Sequence, residues 1–548
     1  MVNVTWSVVS LWAFVMWAGL GLLVYMYMSG VYTGWGVLSV VEEGYDFGVI
    51  FGDKGYGMVG VLMIVYLLVS LFGSYYMSGG DSGYFSWLVF FFVGGVVVLL
   101  LSGSLYSLLV GWEILGVVSF ILIGFYCTRS SWGSALFTVL INRMGDVGVL
   151  LLFWSLVSVG GMLWGWSVSV SFVAGLMVSI CILTKSAQMP FGGWLPLAMA
   201  APTPVSALVH SSTLVIAGLY VGWFMVEGMF GGLGFLVGVV GVATLVSAGL
   251  SSVFEMDFKK VVAYSTSMHL GLMLCMALWV SWVFMGVHME LHAFFKSLLF
   301  VGVGYVILMV CHDQDYRGFS MGGVISGIVG VLVISSLWSL VGWTYFSGWF
   351  TKDGFMEYLV FQGLGLVLWA VVMAALATSG VYSLKLLMSV MMKSLAKVPL
   401  VLDWSGVLCV MWGVIGLGAV LGSVVGYMVG VWLDWGFSVC VLSFSEKALF
   451  WVFVCLVFIV WVFVGSLIVG SGFSVYVQGL YQYLVAGLSY WAFKGVSDLE
   501  NCWLLGLVGG VLSVLSSSGY YLVNLLGSLD WYFVFIMVLV GLCFGMVV

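Results

Sequence analysis

KSAQMPFGGWLPLAMAAPTPVSALVHSST, Lys185 to Thr213, is the stretch on which the fold turns. Four of the five prolines in the chain, Pro190, Pro196, Pro202 and Pro204, fall inside it. A lysine opens it, His210 nearly closes it, and apolar sequence flanks both sides. Proline lacks a backbone donor and clashes with the carbonyl four residues back. A helix running through Lys185 should therefore break near Pro190 and free the carbonyl of Ser186. In a bilayer, such a break is tolerated only where protein or a water-filled cavity satisfies the freed groups. A charge beside the break marks an ion path.

Composition sets the solvent. Of 548 residues, 64% are apolar and 6% charged, with mean hydropathy +1.26. Ordinary soluble domains are about 25% charged, so this chain cannot cover a water-facing surface and reads as a polytopic membrane protein. Net charge −7 comes from 21 acids and 14 bases spread thinly, with no basic patch, which excludes nucleic-acid binding. The nine cysteines stand singly without a CxxC pair, so they read as small apolar fillers and not as iron–sulfur or zinc ligands. The run Val4–Met28 has no basic segment before it and is long enough to span, so it reads as a first transmembrane helix and not a cleaved signal. Val, Gly, Phe, Leu and Trp abound while Pro, Lys, His, Asn and Gln are scarce. That skew matches codons rich in G and T, as in a strand-biased organelle genome.

Apolar runs of roughly 20 residues predict spans at about 4–28, 57–77, 85–102, 105–126, 134–158, 168–189, 205–226, 233–254, 261–280, 283–310, 324–347, 357–388, 400–431, 447–470 and 531–548. The expected fold is all-α, with about fifteen membrane helices. A polar segment with Glu42, Glu43, Asp46, Asp53 and Lys54 follows the first span. Charge clusters Glu255/Asp257/Lys259/Lys260, His312/Asp313/Asp315/Arg317, Lys352/Asp353/Glu357 and Lys393/Lys397 fall between spans and mostly read as surface loops. Residues 471–530 are amphipathic, scattering Gln478, Gln482, Lys494, Asp498, Glu500, Asn501 and Asn524 among apolar residues. They read as a long helix lying along the membrane or against its neighbours, or as two poorly marked spans. GxG-like matches at Gly232–Gly241 and Gly302–Gly304 lie within spans and fit close helix packing better than a dinucleotide site.

An ionised side chain at a helix centre costs roughly 2.5–3.5 kcal/mol, so each candidate needs a use or a partner. Glu113, in GWEILGVVSFILIGFY, is a helix-end acid or a proton-titrating carboxylate. Arg143 and Asp146 in INRMGDVG, three apart, pair locally or belong to a path. Lys185, beside the break, joins Glu113 and Asp146 as an acid–base set that a neighbouring charge can switch. His288, His292 and Lys296 in HMELHAFFKSLLF follow i, i+4, i+8 along one helical face, with Glu290 pointing elsewhere. They read as a proton relay, with a structural histidine pair or an HxxxH metal site as rivals; no third metal ligand is evident downstream. His210 is either structural or part of the path.

With these residues in view, the chain resembles the antiporter-like membrane subunits of mitochondrial NADH–ubiquinone oxidoreductase, respiratory complex I. The motifs are GWEILGVVSFILIGFY at 111–126, NRMGDVG at 142–148 and KSAQMPFGGWLPLAMAAPTPVSALVHSSTLVIAG at 185–218. DFKKVVAYSTSMHLG at 257–271, HMELHAFFKSLLF at 288–300, DQDYRGFSMGG at 313–323 and FTKDGF at 350–355 continue the match. Beyond residue 400 the likeness is one of layout, including a lateral arm found in the largest kind of these subunits. The resemblance implies antiporter-like inverted repeats with two discontinuous helices, broken at Pro190, Pro202 and Pro204 and again near Pro399. It divides the chain into N-terminal membrane helices (1–104), a proton-translocating core (105–400), further membrane helices (401–470), a lateral amphipathic helix (471–530) and a terminal span (531–548). Glu113, Asp146 and Lys185 then take the family's key glutamate, aspartate and lysine positions. His210, His288, His292 and Lys296 take its central axis, and Lys393 or Lys397 its second broken-helix lysine. The sequence departs in two places: one span precedes Asp53 where many relatives have two, and His269 stands where the family usually has Gln.

The implied function is proton translocation coupled to NADH oxidation by quinone, in the mitochondrial inner membrane. This chain would hold no cofactor and no metal; NAD, FMN, iron–sulfur clusters and ubiquinone belong to the whole complex. Partners would be the other membrane subunits, sibling antiporter-like chains among them, and lipids such as cardiolipin. A subunit of a multi-subunit sodium/proton antiporter, which shares these motifs, is the alternative. A purely structural arm clamping its siblings is a third.

Overall fold

Apolar runs surrounded by lipid have no water to bond their backbone, and a helix answers every N–H and C=O within one segment. The computed structural model describes residues 37–39, 48–50 and 53–391, the last with gaps at 78–81, 104, 158–171, 226–230, 310–311, 313, 316–326, 343–345 and 362–365. All of these fall in one compact unit, Met1–Trp461. Two three-residue strands, Val37–Ser39 and Gly48–Ile50, pair antiparallel. Most of the rest described is helix or turn, with an isolated β-bridge between Asp257 and Asp315.

The helices are α1 (Asp53–Tyr76), α2 (Ser82–Leu100), α3 (Leu105–Ile123), α4 (Arg129–Val157) and α5 (Phe172–Lys185). Next come the short α6 (Trp194–Leu197) and α7 (Thr203–Leu208), a π-turn at Val209–Thr213, and α8 (Leu214–Met225). Then follow α9 (Gly231–Phe254), α10 (Phe258–Trp279), α11 (Trp282–Met309), α12 (Gly327–Val341), α13 (Ser347–Phe361) and α14 (Leu366–Met391). Among the described residues, nine segments are long and apolar enough to cross a membrane. The chain is a multi-pass membrane protein. Expected spans at 4–28, 400–431, 447–470 and 531–548, the lateral segment at 471–530, and Lys393, Lys397 and Pro399 lie outside the described residues.

The helices sort into a shell and a core. Thr203–Trp223 is buried throughout and Phe284–Leu308 over 94% of its span window, against 44% for Tyr106–Ile123 and Val237–Phe254. Core helices α10 and α11 therefore carry their polar side chains inside protein, where other helices can satisfy them. Shell helices turn Trp87, Phe91, Leu150 and Phe235 outwards, as lipid permits. Helix α11 is the hub, packing on α1, α7, α8, α10, α12 and α13. The glycine-rich α9 lies close along α10: a Cβ on Gly271 would come 2.7 Å from the Gly241 carbonyl oxygen.

Two expectations fail here. The helix expected to begin at 357 begins ten residues earlier, at Ser347 of α13. The cluster Lys352/Asp353/Glu357, expected as a surface loop, lies within α13, with Lys352 and Glu357 buried. Lys259, from another such cluster, is likewise buried in the first turn of α10 and donates to the Ala201 carbonyl at 3.3 Å. Charge density alone misled, because a helix can carry polar residues into a protein interior that a hydropathy window scores as loop.

Candidate functional site

Helix α5 stops where the prolines predict. Its last backbone bonds run from Ser186 N–H to Ile182 and from Gln188 N–H to Leu183, and Ala187 sits at φ +51°. That left-handed conformation is uncommon for a residue with a Cβ and turns the chain out of the helix. The Met189–Pro190 peptide is cis. Short turns carry the chain to α7, which has proline in its first turn, where no backbone donor is lost. The carbonyl of Ser186 receives the side-chain amide of Gln188 at 3.4 Å. Trp194 Nε1 donates to Thr184 O at 3.0 Å, and Thr244 of α9 donates to Gln188 Oε1 at 2.5 Å. The break is thus held by protein groups, as a buried opening in a helix requires.

Lys185, the last residue of α5, is 1% exposed. Gly218 on α8 makes room for it, since a Cβ there would lie 3.1 Å from Lys185 Cβ. Its ammonium lies 4.6 Å from the ring centroid of Trp112, a cation–π distance. No carboxylate is within ion-pair distance of it among the described residues. The acids are engaged elsewhere. Arg143 Nη1 donates to both oxygens of Glu113 at 2.7 Å and lies 3.2 Å from Asp146 Oδ2. Trp112 Nε1 donates to Asp146 Oδ1 at 2.6 Å. Glu113, Arg143, Asp146, Trp112 and Lys185 therefore form one unbroken series of contacts across α3, α4 and α5. The two readings of Arg143 merge: it pairs with Asp146 locally and also ties that acid to Glu113.

His210 lies in the π-turn, a feature frequent at functional sites. It is fully buried 6.1 Å from the Trp194 ring, and neither ring nitrogen has a hydrogen-bond partner among the described residues. Beyond it runs the α11 face that the spacing predicts, with His288, His292 and Lys296 all fully buried. Lys296 Nζ donates to Ser265 Oγ of α10, and His288 Nδ1 is 2.7 Å from Thr351 Oγ1 of α13. The main chain at Ser211 lies beside His292. Glu290 turns away from this line and packs against Gly57 of α1.

A second break separates α12 from α13. Gly342 ends α12 at φ +85°, where a glycine is favoured, and α13 begins five residues on. Lys352 reaches back and donates to the Leu340 and Val341 carbonyls at the C-terminal end of α12. Lys393, the sequence candidate for a second broken-helix lysine, lies outside the described residues, whereas Lys352 stands at a break within them.

Sequence reasoning named Glu113, Asp146, Lys185, His210, His288, His292 and Lys296, and the structure gathers the first three around Trp112 and the last three along α11. Trp112, Thr351 and Lys352 were missed as site residues. FTKDGF held the signal for Lys352: a charge inside a motif at the edge of an apolar run. Trp112 had none, since one tryptophan among 27 does not stand out. Among the described residues, no group of three or more His, Cys, Asp or Glu is placed to hold a metal ion.

The sequence pattern of the family described as "NADH:quinone oxidoreductase/Mrp antiporter, TM" matches residues 102–378, which hold every site residue placed above. NADH-ubiquinone oxidoreductase chain 5 of Ascaris suum is 38% identical over 304 residues, 54% of this chain and 55% of the relative. The Artemia franciscana protein of that name is 40% identical over 300 residues, 53% of each. That of Anopheles arabiensis is 33% identical over 61% of this chain and 90% of its own length. The chain spans about half the length of the first two relatives. Two solved structures share the fold. A chain of the Mrp complex of a Dietzia species superposes with TM-score 0.67 at 22% identity, over 92% of this chain and 59% of its own. A chain of an archaeal membrane-bound sulfane sulfur reductase gives 0.62 at 19%, over 73% and 85%. With that pattern over half of its length and a relative 33% identical matched over 90% of its own, the chain belongs to the NADH:quinone oxidoreductase/Mrp antiporter family of transmembrane proteins, on its NADH-ubiquinone oxidoreductase chain 5 branch.

Proposed function

We propose that this chain is a proton-translocating membrane subunit of respiratory NADH:ubiquinone oxidoreductase. It works in the mitochondrial inner membrane beside the other membrane subunits of that complex, sibling antiporter-like chains included. Electrons pass from NADH to ubiquinone through FMN and iron–sulfur clusters on other subunits, and this chain moves protons. The observation that carries the reading is Lys185: a fully buried amine at an opened helix end, linked through Trp112 to the Asp146–Arg143–Glu113 ion-pair cluster. An unpaired buried cation is costly, so it persists where gaining and losing the proton is the task.

Two arrangements of the cluster make a switch. While Arg143 holds Glu113 and Asp146, the field of the acids on Lys185 is largely cancelled. When Arg143 withdraws from Asp146, the longer of its two contacts, that carboxylate attracts the proton onto Lys185. Its return repels the proton along His210 and the α11 line of Lys296, His292 and His288 towards Lys352 at the second break. Lys352 takes the role that the sequence assigned to Lys393.

Proton pumping per NADH oxidised, measured in assembled complex carrying Lys185→Ala or Glu113→Gln, tests this. Pumping should fall while the complex stays intact; undiminished pumping sinks the mechanism. A second reading, a sodium/proton antiporter subunit, draws on the Mrp half of the family description and the likeness to an Mrp chain over 92% of this sequence. Sodium-dependent proton flux indifferent to NADH would favour it.

A further inference from the structure

His269 is a buried titratable side chain with no task in the pathway above. It projects from α10 where α11 carries its two histidines, and it is shut off from solvent. Its ring stacks on His288, with centroids 5.5 Å apart and planes 19° apart. It tilts against His292, with centroids 5.4 Å apart, and meets the edge of Phe295 at 5.6 Å. His269 Nδ1 is 3.2 Å from His288 Nε2, and His288 Nδ1 in turn is 2.7 Å from Thr351 Oγ1. His269 Nε2 is buried with no hydrogen-bond partner among the described residues. His288 and His292, one turn apart on the same helix, are separated by about 6 Å along its axis. Both nitrogens of His292 are buried without a hydrogen-bond partner among the described residues, so in this arrangement neither His288 nor His269 is within direct transfer distance of His292, and a turn of its ring must close that step. His269 straddles that gap from the neighbouring helix.

We propose that His269 is a third imidazole of the proton path, carrying protons between His292 and His288 and on to Thr351 at the second break. This deepens the pumping role stated above and rests on it. The protons balance. Neutral His269 takes one at Nε2 from the His292 side and becomes an imidazolium. It gives its Nδ1 proton to His288 Nε2, and His288 turns its own Nδ1 proton towards Thr351 Oγ1. Only imidazole accepts at one nitrogen and releases at the other; a carboxamide hydrogen-bonds but does not hold the extra proton. The charged and titratable groups acting on His269 are His288, His292 and Lys296 of α11 and Lys352 of α13. Helix α9 brings no charged side chain, and Lys385 of α14 is tied to the Val253 and Glu255 carbonyls. All four acting groups are bases, so a proton arriving at one is driven towards the next.

The test uses assembled complexes with His269→Gln, His269→Asn and Lys185→Ala, reading protons moved per NADH oxidised across about pH 6–9. Gln keeps the volume; Asn keeps an amide near the Nδ1 position in less space and serves where Gln crowds Phe295. The pumping that Lys185→Ala abolishes should fall by about tenfold or more in both His269 variants and lose its pH dependence. Loss of pumping in Lys185→Ala beside a wild-type ratio and pH profile in a His269 variant overturns the role of His269 alone. Wild-type pumping in all three overturns the subunit's pumping role as well.

Discussion

The two helix breaks solve one problem, a buried lysine in an opened helix, with opposite means. At the first, three prolines break the backbone and two acids with an arginine surround the lysine at one remove. At the second, the described residues show no proline and a glycine at φ +85° turns the chain. There the lysine sits directly on the carbonyl end of α12. The first amine is balanced by side-chain charges at one remove, the second by a helix terminus. A lysine balanced by groups that move can be switched by them; one balanced by backbone stays where it is until a proton arrives. In the proposed pathway, this difference would give the control step to Lys185 and a receiving step to Lys352.

Arg143→Gln gives the largest expected effect, because it strands Glu113 and Asp146 together. Losing its hydrogen bonds to charged groups should cost roughly 1.5–3 kcal/mol, read as a lower melting temperature of the purified complex. Adding Glu113→Gln should recover part of that loss, with a non-additive double-mutant cycle; strict additivity would break the comparison at its first half.

Lys352→Met follows. It keeps the stem, removes the ammonium and leaves the Leu340 and Val341 carbonyls short of a donor, at about 1–3 kcal/mol. No partner acid is stranded in this pairing, so unlike the arginine variant it should not be rescued by neutralising Glu113. Rescue would mean the two breaks share one charge cluster.

The smallest effects sit in the backbone. Gly342→Ala places a Cβ in a left-handed conformation and should cost about 1–2 kcal/mol. Ala187→Gly relieves the same conformation at the first break and should be neutral or stabilising by up to about 1 kcal/mol. Equal responses at the two sites would show that neither turn is set by its φ angle.

Legibility in the sequence followed the same divide. Proline crowding exposed the first break, because proline acts through covalent geometry that no tertiary contact can undo. The second went unseen: Gly342 is one of 75 glycines in a skewed composition, and it falls inside the span expected at 324–347. The α11 histidines were legible because i, i+4 spacing is a property of one helix. His269 was visible as an odd residue, yet its meeting with His288 joins two helices and no spacing encodes it.

By itself, then, the sequence determined a lipid-embedded helical chain, the place of the first break and the face on which His288, His292 and Lys296 line up. These follow from hydropathy, proline chemistry and helical period, all local. Tertiary structure alone decided that Arg143 takes both acids, that Trp112 stands between Asp146 and Lys185, and that Lys352 is interior. Those outcomes depend on which helices become neighbours, and in a bilayer that choice is made by close packing and by partners for buried charge.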